Sequence, residues 1–382
     1  MKLFFRIAAY CISFILGCLL GIFFVRTNIN TAEFITPILE DLHLQKRFEV
    51  IGFAPYWLIP KQSYDYTDLL TSWTYFGLVV NPDGTIQKLV ADTEEEPGWT
   101  TLKGKTVSDI LSAYTAKQKN RSLLLHLSNE DHIGTLLSDA TASAITLTND
   151  VTPILTKYEF TDLNLDIESF RDASESARRS YITFLSEVKK RLRTVTLTVE
   201  LTPTALIRSR LEDPKVLGEI ADTVILMAYD YTYSGSFVSG PVAPFGGAGE
   251  VRVQDAVLSL NRAVNLIPKE KLVLGIPLYG YEWDTLSSVP GSGVVPGTGK
   301  TASWARVKEL LADCQSCQIG RDSISGDIPY VVIPENGYYR QIFYEDRQSI
   351  AKKIDSAKAM GIAGVALWAL GYEGEDLSQF VR

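Results

Sequence analysis

Residues 160–169 read Phe160-Thr-Asp-Leu-Asn-Leu-Asp-Ile-Glu-Ser169. Successive side chains of a β-strand point to opposite faces. One face is therefore apolar and the other polar, the first with Leu163, Leu165 and Ile167 and the second with Asn164, Asp166 and Glu168. This pattern suits a parallel barrel strand whose apolar face packs under outer helices and whose polar face points inward. Taken alone, the segment also fits an amphipathic edge strand with a solvated acidic face.

Short apolar runs and longer helical patterns alternate on both sides of this segment. The runs are Val50–Ala54, Trp73–Val80, Ser122–Leu127, Leu163–Ile167, Val195–Leu201, Thr223–Ala228, Leu272–Pro277 and Ile362–Leu367. Helical patterns include Val107–Lys119, Ser174–Arg193, Val253–Ile267 and Asp346–Met360. Repeated strand–helix units imply parallel strands with crossover helices. Eight of them predict an α/β fold, a (β/α)8 TIM barrel over residues 47–382, with a small α+β insertion at about 284–345 between strand seven and its helix.

A doubly wound open sheet has the same alternation. It usually places a glycine-rich phosphate loop after the first strand. Here Ile51-Gly-Phe-Ala-Pro-Tyr-Trp57 puts proline and large aromatic residues at that place, which favours the barrel.

The N-terminus predicts a membrane anchor. Lys2 and Arg6 precede an uncharged run from Ile7 to Val25, which nearly spans the roughly 30 Å hydrocarbon layer of a bilayer. No Ala-x-Ala cleavage site follows, and the charges keep the N-terminus inside. We expect an anchor over residues 1–27, a stalk over 28–46 and an extracytoplasmic barrel. Secretion is the alternative, and Leu16-Gly-Cys18 leaves a lipoprotein signal open.

Composition excludes some classes of protein. With 37 Lys plus Arg against 45 Asp plus Glu, the chain lacks the basic footprint of a nucleic-acid binder. Three His and four Cys leave little for a metal site, and we expect no metal. We also expect no cofactor and a monomer. Cys314-Gln-Ser-Cys317 can be redox-active, half a zinc site or a local disulfide, and outside the cytoplasm a disulfide is favoured.

Asp166 and Glu168 indicate acid–base chemistry. Residues two apart on one strand face have Cα atoms roughly 6.6 Å apart, and two carboxylates so close raise the pKa of one of them. Glu168 lies nearer the C-terminal mouth, where barrel active sites gather. A carboxyl that stays protonated near neutral pH suits a general acid. His126 ends the third strand and points toward the same groove, but a satisfied polar residue is the simpler interpretation, and we do not include it in the catalytic set.

Residues 161–168 resemble the glycoside hydrolase family 18 signature, Asp-Gly-x-Asp-x-Asp-x-Glu, found in chitinases and N-acetylglucosaminidases. Asp166 and Glu168 match its last two acids, while Thr161, Asp162 and Asn164 replace the first Asp, the Gly and the middle Asp. Three further segments support the resemblance, which covers roughly Glu49 to Leu377 and is greatest to bacterial spore-type cell-wall hydrolases: Met227–Asp230, Gly275–Trp283 and Gly364–Trp368.

The resemblance implies retaining, substrate-assisted hydrolysis of β-1,4-linked N-acetylglucosamine polymers, either chitin or peptidoglycan. It assigns the proton transfer to Glu168, the acetamido N–H to Asp166 and the acetamido oxygen to Tyr229. Further residues would bind substrate, namely Asn164, Asp230, Trp368, Tyr279 and Trp57. The three aromatics of that set can instead be core residues at strand ends. Because some members have lost the acid, a lectin-type surface protein or a scaffold stays the alternative.

Overall fold

The computed structural model describes residues 48–62, 65–247, 254–312, 314–374 and 377–378. The predicted anchor (1–27) and stalk (28–46) lie outside the described residues. Within the ranges given, no helix combines the length and the apolar character that crossing a membrane requires.

Eight parallel strands close into a barrel, which confirms the predicted TIM barrel. They are Glu49–Pro55, Ser72–Val79, Asn120–Leu127, Asp162–Ile167, Thr196–Leu201, Thr223–Leu226, Leu272–Pro277 and Gly364–Trp368. Each strand pairs with the next in sequence, and the eighth pairs with the first, with Val50 opposite Val365. This closure excludes the open doubly wound sheet. The sixth strand ends at Leu226, two residues before the predicted Ala228.

Helices connect the strands on the outside. They are Pro97–Leu102, Lys105–Ala116, Glu130–Ser138, Ala140–Lys157, Glu175–Arg191, Pro214–Ile220, Ala256–Ala263, Trp304–Ala312 and Arg347–Met360, with 3-10 turns at Ile59–Lys61, Pro203–Leu206 and Lys269–Lys271. The helix predicted from Ser174 begins at Glu175 because the Ser174 hydroxyl accepts a hydrogen bond from the backbone N–H of Ala177 and so caps the first turn.

The fourth strand separates two cores. Leu163, Leu165 and Ile167 pack outward into the main hydrophobic core beneath the helices. Inside the barrel, one side is filled by a smaller apolar cluster of Ile51, Phe53, Leu124, Ile225, Val273, Ala363 and Ala366. The inward face of the fourth strand adds polar side chains to this interior.

A five-stranded antiparallel sheet stands between the seventh strand and the helix Arg347–Met360. Its strands are Tyr279–Thr285, Lys300–Ser303, Gln318–Asp322, Ile328–Pro334 and Tyr339–Phe343, and Cys314 and Cys317 are joined in a disulfide before its third strand. The sheet begins at Tyr279, earlier than expected from the sequence, because only Leu278 separates it from the barrel strand. A separate two-stranded sheet joins Leu89–Ala91 and Glu94–Glu95.

Candidate active site

Glu168 lies at the mouth of the barrel, one residue past the fourth strand. Its N–H donates to the carbonyl of Leu127 at 2.9 Å, which extends the pairing with the third strand and fixes the backbone. The Glu168 side chain is half-buried, whereas that of Asp166 is 4% exposed. Burial, followed by the charge and hydrogen bonding of Asp166, raises the pKa of Glu168 to about 9. The carboxyl of Glu168 is therefore protonated at neutral pH and still reachable from the groove.

Asp166 is held by His126, which lies directly opposite it on the third strand. Nδ1 of His126 donates to Oδ2 of Asp166 at 2.9 Å, and Nε2 lies 3.0 Å from the hydroxyl oxygen of Ser128. Burial alone would lower the pKa of His126, but the hydrogen bond and charge of Asp166 outweigh it and raise that pKa. His126, omitted from the predicted catalytic set, thus contacts one of its members. The signal was its inward position at the end of the strand.

The second oxygen of Asp166 has no such partner. Oδ1 is buried and has no hydrogen-bond partner among the residues that the structure describes. Buried carboxylate oxygens are usually paired, so this atom is available to an incoming N–H donor. One ligand atom each of His126, Asp166 and Glu168 lies within 4.8 Å of the other two, so the three residues could offer an imidazole and two carboxylates to a cation. The proton on Glu168 and the hydrogen bond between His126 and Asp166 compete with that use.

Asn164 lies one step deeper in the barrel and is 1% exposed. Its amide donates to Oε1 of Glu200 on the fifth strand, at 2.7 Å. Glu200 was missed in the sequence analysis. The available signal was that Glu200 is the single carboxyl in the strand Thr196–Leu201. Because it is two residues from Thr198, it lies on the same inward face.

Asp162 lies at the opposite end of the same strand face, toward the floor of the barrel. Its carboxylate accepts hydrogen bonds from the hydroxyls of Ser122 and Thr196, both at 2.6 Å, and from that of Thr198 at 3.0 Å. Burial outweighs these hydrogen bonds and raises the pKa of Asp162 to about 6.

Tyr229 and Asp230 follow the sixth strand and line the other side of the mouth. Asp230 adopts a left-handed backbone conformation with φ of 55°, and its Oδ1 accepts from the hydroxyls of Tyr279 at 2.6 Å and Tyr281 at 3.0 Å. A Cβ atom at Gly275 would lie 3.0 Å from Cε1 of Tyr229, so this glycine leaves room for the Tyr229 ring.

Tyr279, which the resemblance assigns to substrate binding, is largely enclosed. Its side chain is only 4% exposed, because the insertion sheet that begins at this residue encloses the ring and turns its hydroxyl onto Asp230. A ring so enclosed offers little surface to a sugar and instead holds Asp230 in place. Tyr281, which shares this task, was missed, although it lies two residues further along the same strand face.

Aromatic rings form a continuous surface beside the acids. The ring of Trp368 lies edge-on to Phe76 and Phe53, with centroids 4.9 and 5.6 Å away. Trp57 packs edge-on against Phe76 with centroids 5.6 Å apart and is 42% exposed. The structure thus brings both predicted tryptophans to one surface through Phe76, which the sequence analysis did not single out.

Comparison with known proteins gives a consistent result. The family model described as "Glycosyl hydrolases family 18" matches residues 50–373. The chain is 28% identical over 318 residues to the cortical fragment-lytic enzyme of Bacillus anthracis, covering 79% of this chain and 65% of that protein. It is 27% identical over 271 residues to the Bacillus subtilis (strain 168) enzyme of the same name, covering 67% and 58%. The chain thus spans less than two thirds of the length of these relatives.

Solved structures share the fold. The Bacillus cereus spore cortex-lytic enzyme SleL superposes with a TM-score of 0.68 at 21% identity, over 88% of this chain and 74% of that one. The Ostrinia furnacalis Group IV chitinase gives a TM-score of 0.71 at 16% identity, over 86% and 94%. Because the family model covers most of the sequence, from the second residue of the first barrel strand to beyond the eighth, the chain belongs to the glycosyl hydrolases family 18.

Proposed function

We propose that the barrel is a retaining glycoside hydrolase that cleaves β-1,4-linked N-acetylglucosamine polymers, with Glu168 as the acid and base. The observation that carries this proposal is the state of Glu168: a carboxyl with its pKa raised to about 9 at the barrel mouth, beside a second carboxyl with an unused oxygen. A protonated carboxyl at a groove is what a glycosidic leaving group needs.

The reaction has two displacements. Glu168 first gives its proton to the glycosidic oxygen, while the carbonyl oxygen of the substrate's own acetamido group attacks the anomeric carbon from the opposite face. The bond to the leaving sugar breaks and a cyclic oxazolinium ion forms. Glu168, now a carboxylate, then takes a proton from water as the water attacks the anomeric carbon. The ring opens, and the product has the configuration of the substrate.

Asp166 and Tyr229 orient the internal nucleophile. Oδ1 of Asp166, buried and without a partner in the described part of the chain, accepts the acetamido N–H, and the negative charge of Asp166 stabilises the oxazolinium ion. The Tyr229 hydroxyl donates to the acetamido carbonyl. Asp230, held by two tyrosine hydroxyls, shapes the same pocket.

The sugar rings rest on the tryptophan surface. Pyranose rings have apolar faces, and indole rings offer a large apolar area with little conformational freedom to lose. Trp368 supports the sugar at the reaction centre, and Trp57 supports a neighbouring unit. The contact between both rings and Phe76 keeps them in place before substrate arrives.

Peptidoglycan is the polymer we propose. Two relatives are named cortical fragment-lytic enzymes, and an anchor over residues 1–27 would place the barrel beside the cell wall. Membrane fractionation of the full chain and of a chain without residues 1–27 tests that location, and equal solubility of the two would refute it. Chitin, which has the same linkage, is the second substrate to test.

Sugar binding without cleavage is the second candidate function. The three departures from the signature, at Thr161, Asp162 and Asn164, favour it, whereas the presence of Glu168 and Asp166 argues against it. A protein of this type would bind N-acetylglucosamine oligomers and release no reducing ends.

Product analysis distinguishes these functions. We expect the purified barrel to release reducing ends from peptidoglycan or chitin oligomers, and the first product seen by NMR to be the β-anomer. Glu168→Gln should lower kcat about 10²–10⁴-fold with little change in sugar binding measured by calorimetry. Near-full activity of this variant would refute the role of Glu168. Binding without any product from the unaltered protein would establish the lectin-type alternative.

A further inference from the structure

A third carboxyl, from the fifth strand, lies near the acid pair of Asp166 and Glu168. The Glu200 side chain is 4% exposed and reaches inward from the fifth strand. Its Oε1 accepts from the amide of Asn164 at 2.7 Å, while Oε2 is buried without a hydrogen-bond partner within the described ranges. No Lys, Arg or His among the described residues forms an ion pair with Glu200. This is a costly arrangement for a side chain with only a structural role.

The position of Glu200 complements a departure from the family signature. The signature has an acid where this chain has Asn164, and Glu200 places a carboxyl on the other side of the Asn164 hydrogen bond. The Asn164–Glu200 pair therefore contains one amide and one carboxyl. The carboxyl lies on the fifth strand, whereas the signature has it on the fourth.

We propose that Glu200 is a positioning residue of this site, which supplies from the fifth strand the buried carboxyl that position 164 lacks and, once ionised, opposes loss of the proton from Glu168. The inference rests on the proposed role of Glu168 as the acid. Glu200 touches no reacting atom and acts through its charge and through Asn164.

Electrostatics explains how it acts. Burial, followed by the charge of Asp166, raises the pKa of Glu200 well above the ordinary range of a glutamate. The charge that Glu200 acquires on ionisation then adds to burial and Asp166 in raising the pKa of Glu168. The proton on Glu168 is thereby retained to higher pH than Asp166 alone would allow.

Several titratable groups share this environment. Those that interact with Glu200 are Asp162, Asp166 and Glu168 on or next to the fourth strand, Tyr229 after the sixth strand, and Tyr181 from the helix Glu175–Arg191. His126 lies across Asp166, and Glu212 acts on Glu168 from the loop after the fifth strand. Groups coupled in this way titrate together, so the role of Glu200 is measured by the pH profile of activity.

Variants that remove the Glu200 carboxyl, or move it to position 164, test the inference. Glu200→Gln keeps the shape and the acceptor for Asn164 but cannot ionise. We expect kcat/KM at the optimum to stay within about threefold of the unaltered protein. The alkaline limb of the pH profile of kcat/KM should move to lower pH by about 0.5–1 unit. The double variant Asn164→Asp with Glu200→Gln returns the carboxyl to the fourth strand and should restore the limb.

Two further variants complete the design. Asn164→Asp alone adds a carboxyl and should move the alkaline limb to higher pH, which also tests the inference should Glu200→Gln fail to fold. Asp162→Asn removes a barrel carboxyl that is not among the groups raising the pKa of Glu168, and it should move the limb less than Glu200→Gln does.

An unmoved limb in folded Glu200→Gln, or a double variant that behaves like Glu200→Gln, would overturn the inference. The failure of the proposed function looks different. In that case Glu168→Gln keeps its activity, whereas failure of this inference alone leaves Glu168→Gln inactive and the limb insensitive to Glu200.

Discussion

Asp162 and Asp166 are the same residue type on the same face of one strand, four positions apart, and both are buried. Three hydroxyls surround the carboxylate of Asp162 at the floor of the barrel. At the mouth, Oδ2 of Asp166 accepts a hydrogen bond from one nitrogen of His126. Its Oδ1 is unpaired among the described residues. The protein thus completes the hydrogen bonding of one carboxylate and leaves that of the other incomplete.

The difference separates a structural carboxylate from one placed for a ligand. An unsatisfied buried oxygen costs about 1–3 kcal/mol, which stability alone would not favour. A substrate N–H that fills the position recovers this energy, and the charge is already aligned when the reaction begins. Burial by itself does not distinguish the two sites, but the number of hydrogen-bond donors does.

Replacing Asp166 should have the largest effect, because it removes the buried charge at the mouth of the barrel. Asp166→Asn keeps the size of the side chain but loses the charge that faces the oxazolinium ion. We expect kcat on N-acetylglucosamine oligomers to fall by about 10²–10³-fold, the cost of losing one preorganised electrostatic contact. Steady-state kinetics measures the effect. A loss of less than tenfold would mean that Asp166 resembles Asp162 in being structural.

Removing the histidine partner of Asp166 should have a smaller effect. His126→Ala removes the nitrogen donor to Oδ2 of Asp166 and the adjacent imidazole. A charge-assisted hydrogen bond contributes about 1.5–3 kcal/mol, so we expect kcat/KM to fall about 10–100-fold. His126→Asn can restore a donor at a similar place and should recover part of the loss.

His132 supplies the matched control for this variant. It is exposed on the helix Glu130–Ser138, away from the acids, and His132→Ala should leave kcat/KM unchanged. If His126→Ala is as active as His132→Ala, the contact between His126 and Asp166 does not position the carboxylate.

The elements predicted from sequence are those that follow from local periodicity. The alternation in residues 160–169 placed Asp166 and Glu168 on the interior face of a strand, and the number of strand–helix units indicated closure. These inferences need only the two-residue period of a strand and the right-handed crossover of parallel strands. Asp166, Glu168 and the strand that positions them could therefore be found without a structure.

The partners within the barrel could not be found in this way. The contact between Asn164 and Glu200 depends on the stagger between the fourth and fifth strands, which places Thr198 opposite Asn164 and Glu200 one level higher. Strand stagger in a barrel is set by closure of all eight strands, not by local sequence. The enclosure of Tyr279 could not be predicted for a related reason, since the sheet that encloses it is formed by segments up to 64 residues later in the chain.

The floor carboxylate should affect stability and leave catalysis nearly unchanged. In Asp162→Asn the new Oδ1 can accept from Thr196 and Thr198, and Nδ2 can donate to the hydroxyl of Ser122, so all three hydrogen bonds are kept. We therefore expect activity within about threefold of the unaltered protein, because no charge at the mouth changes.

The pH dependence of unfolding then isolates the charge of Asp162. Folding raises the pKa of Asp162 from 3.8 to about 6, so the folded state binds this proton more tightly than the unfolded state does. The stability that this proton supplies is fully present below about pH 4 and is lost as the pH rises through 6. Asp162→Asn removes this term, and its melting temperature should fall less than that of the unaltered protein between pH 4 and pH 7. Parallel curves for the two proteins would show that Asp162 titrates normally, and the contrast between the two carboxylates would then lie only in their hydrogen bonds.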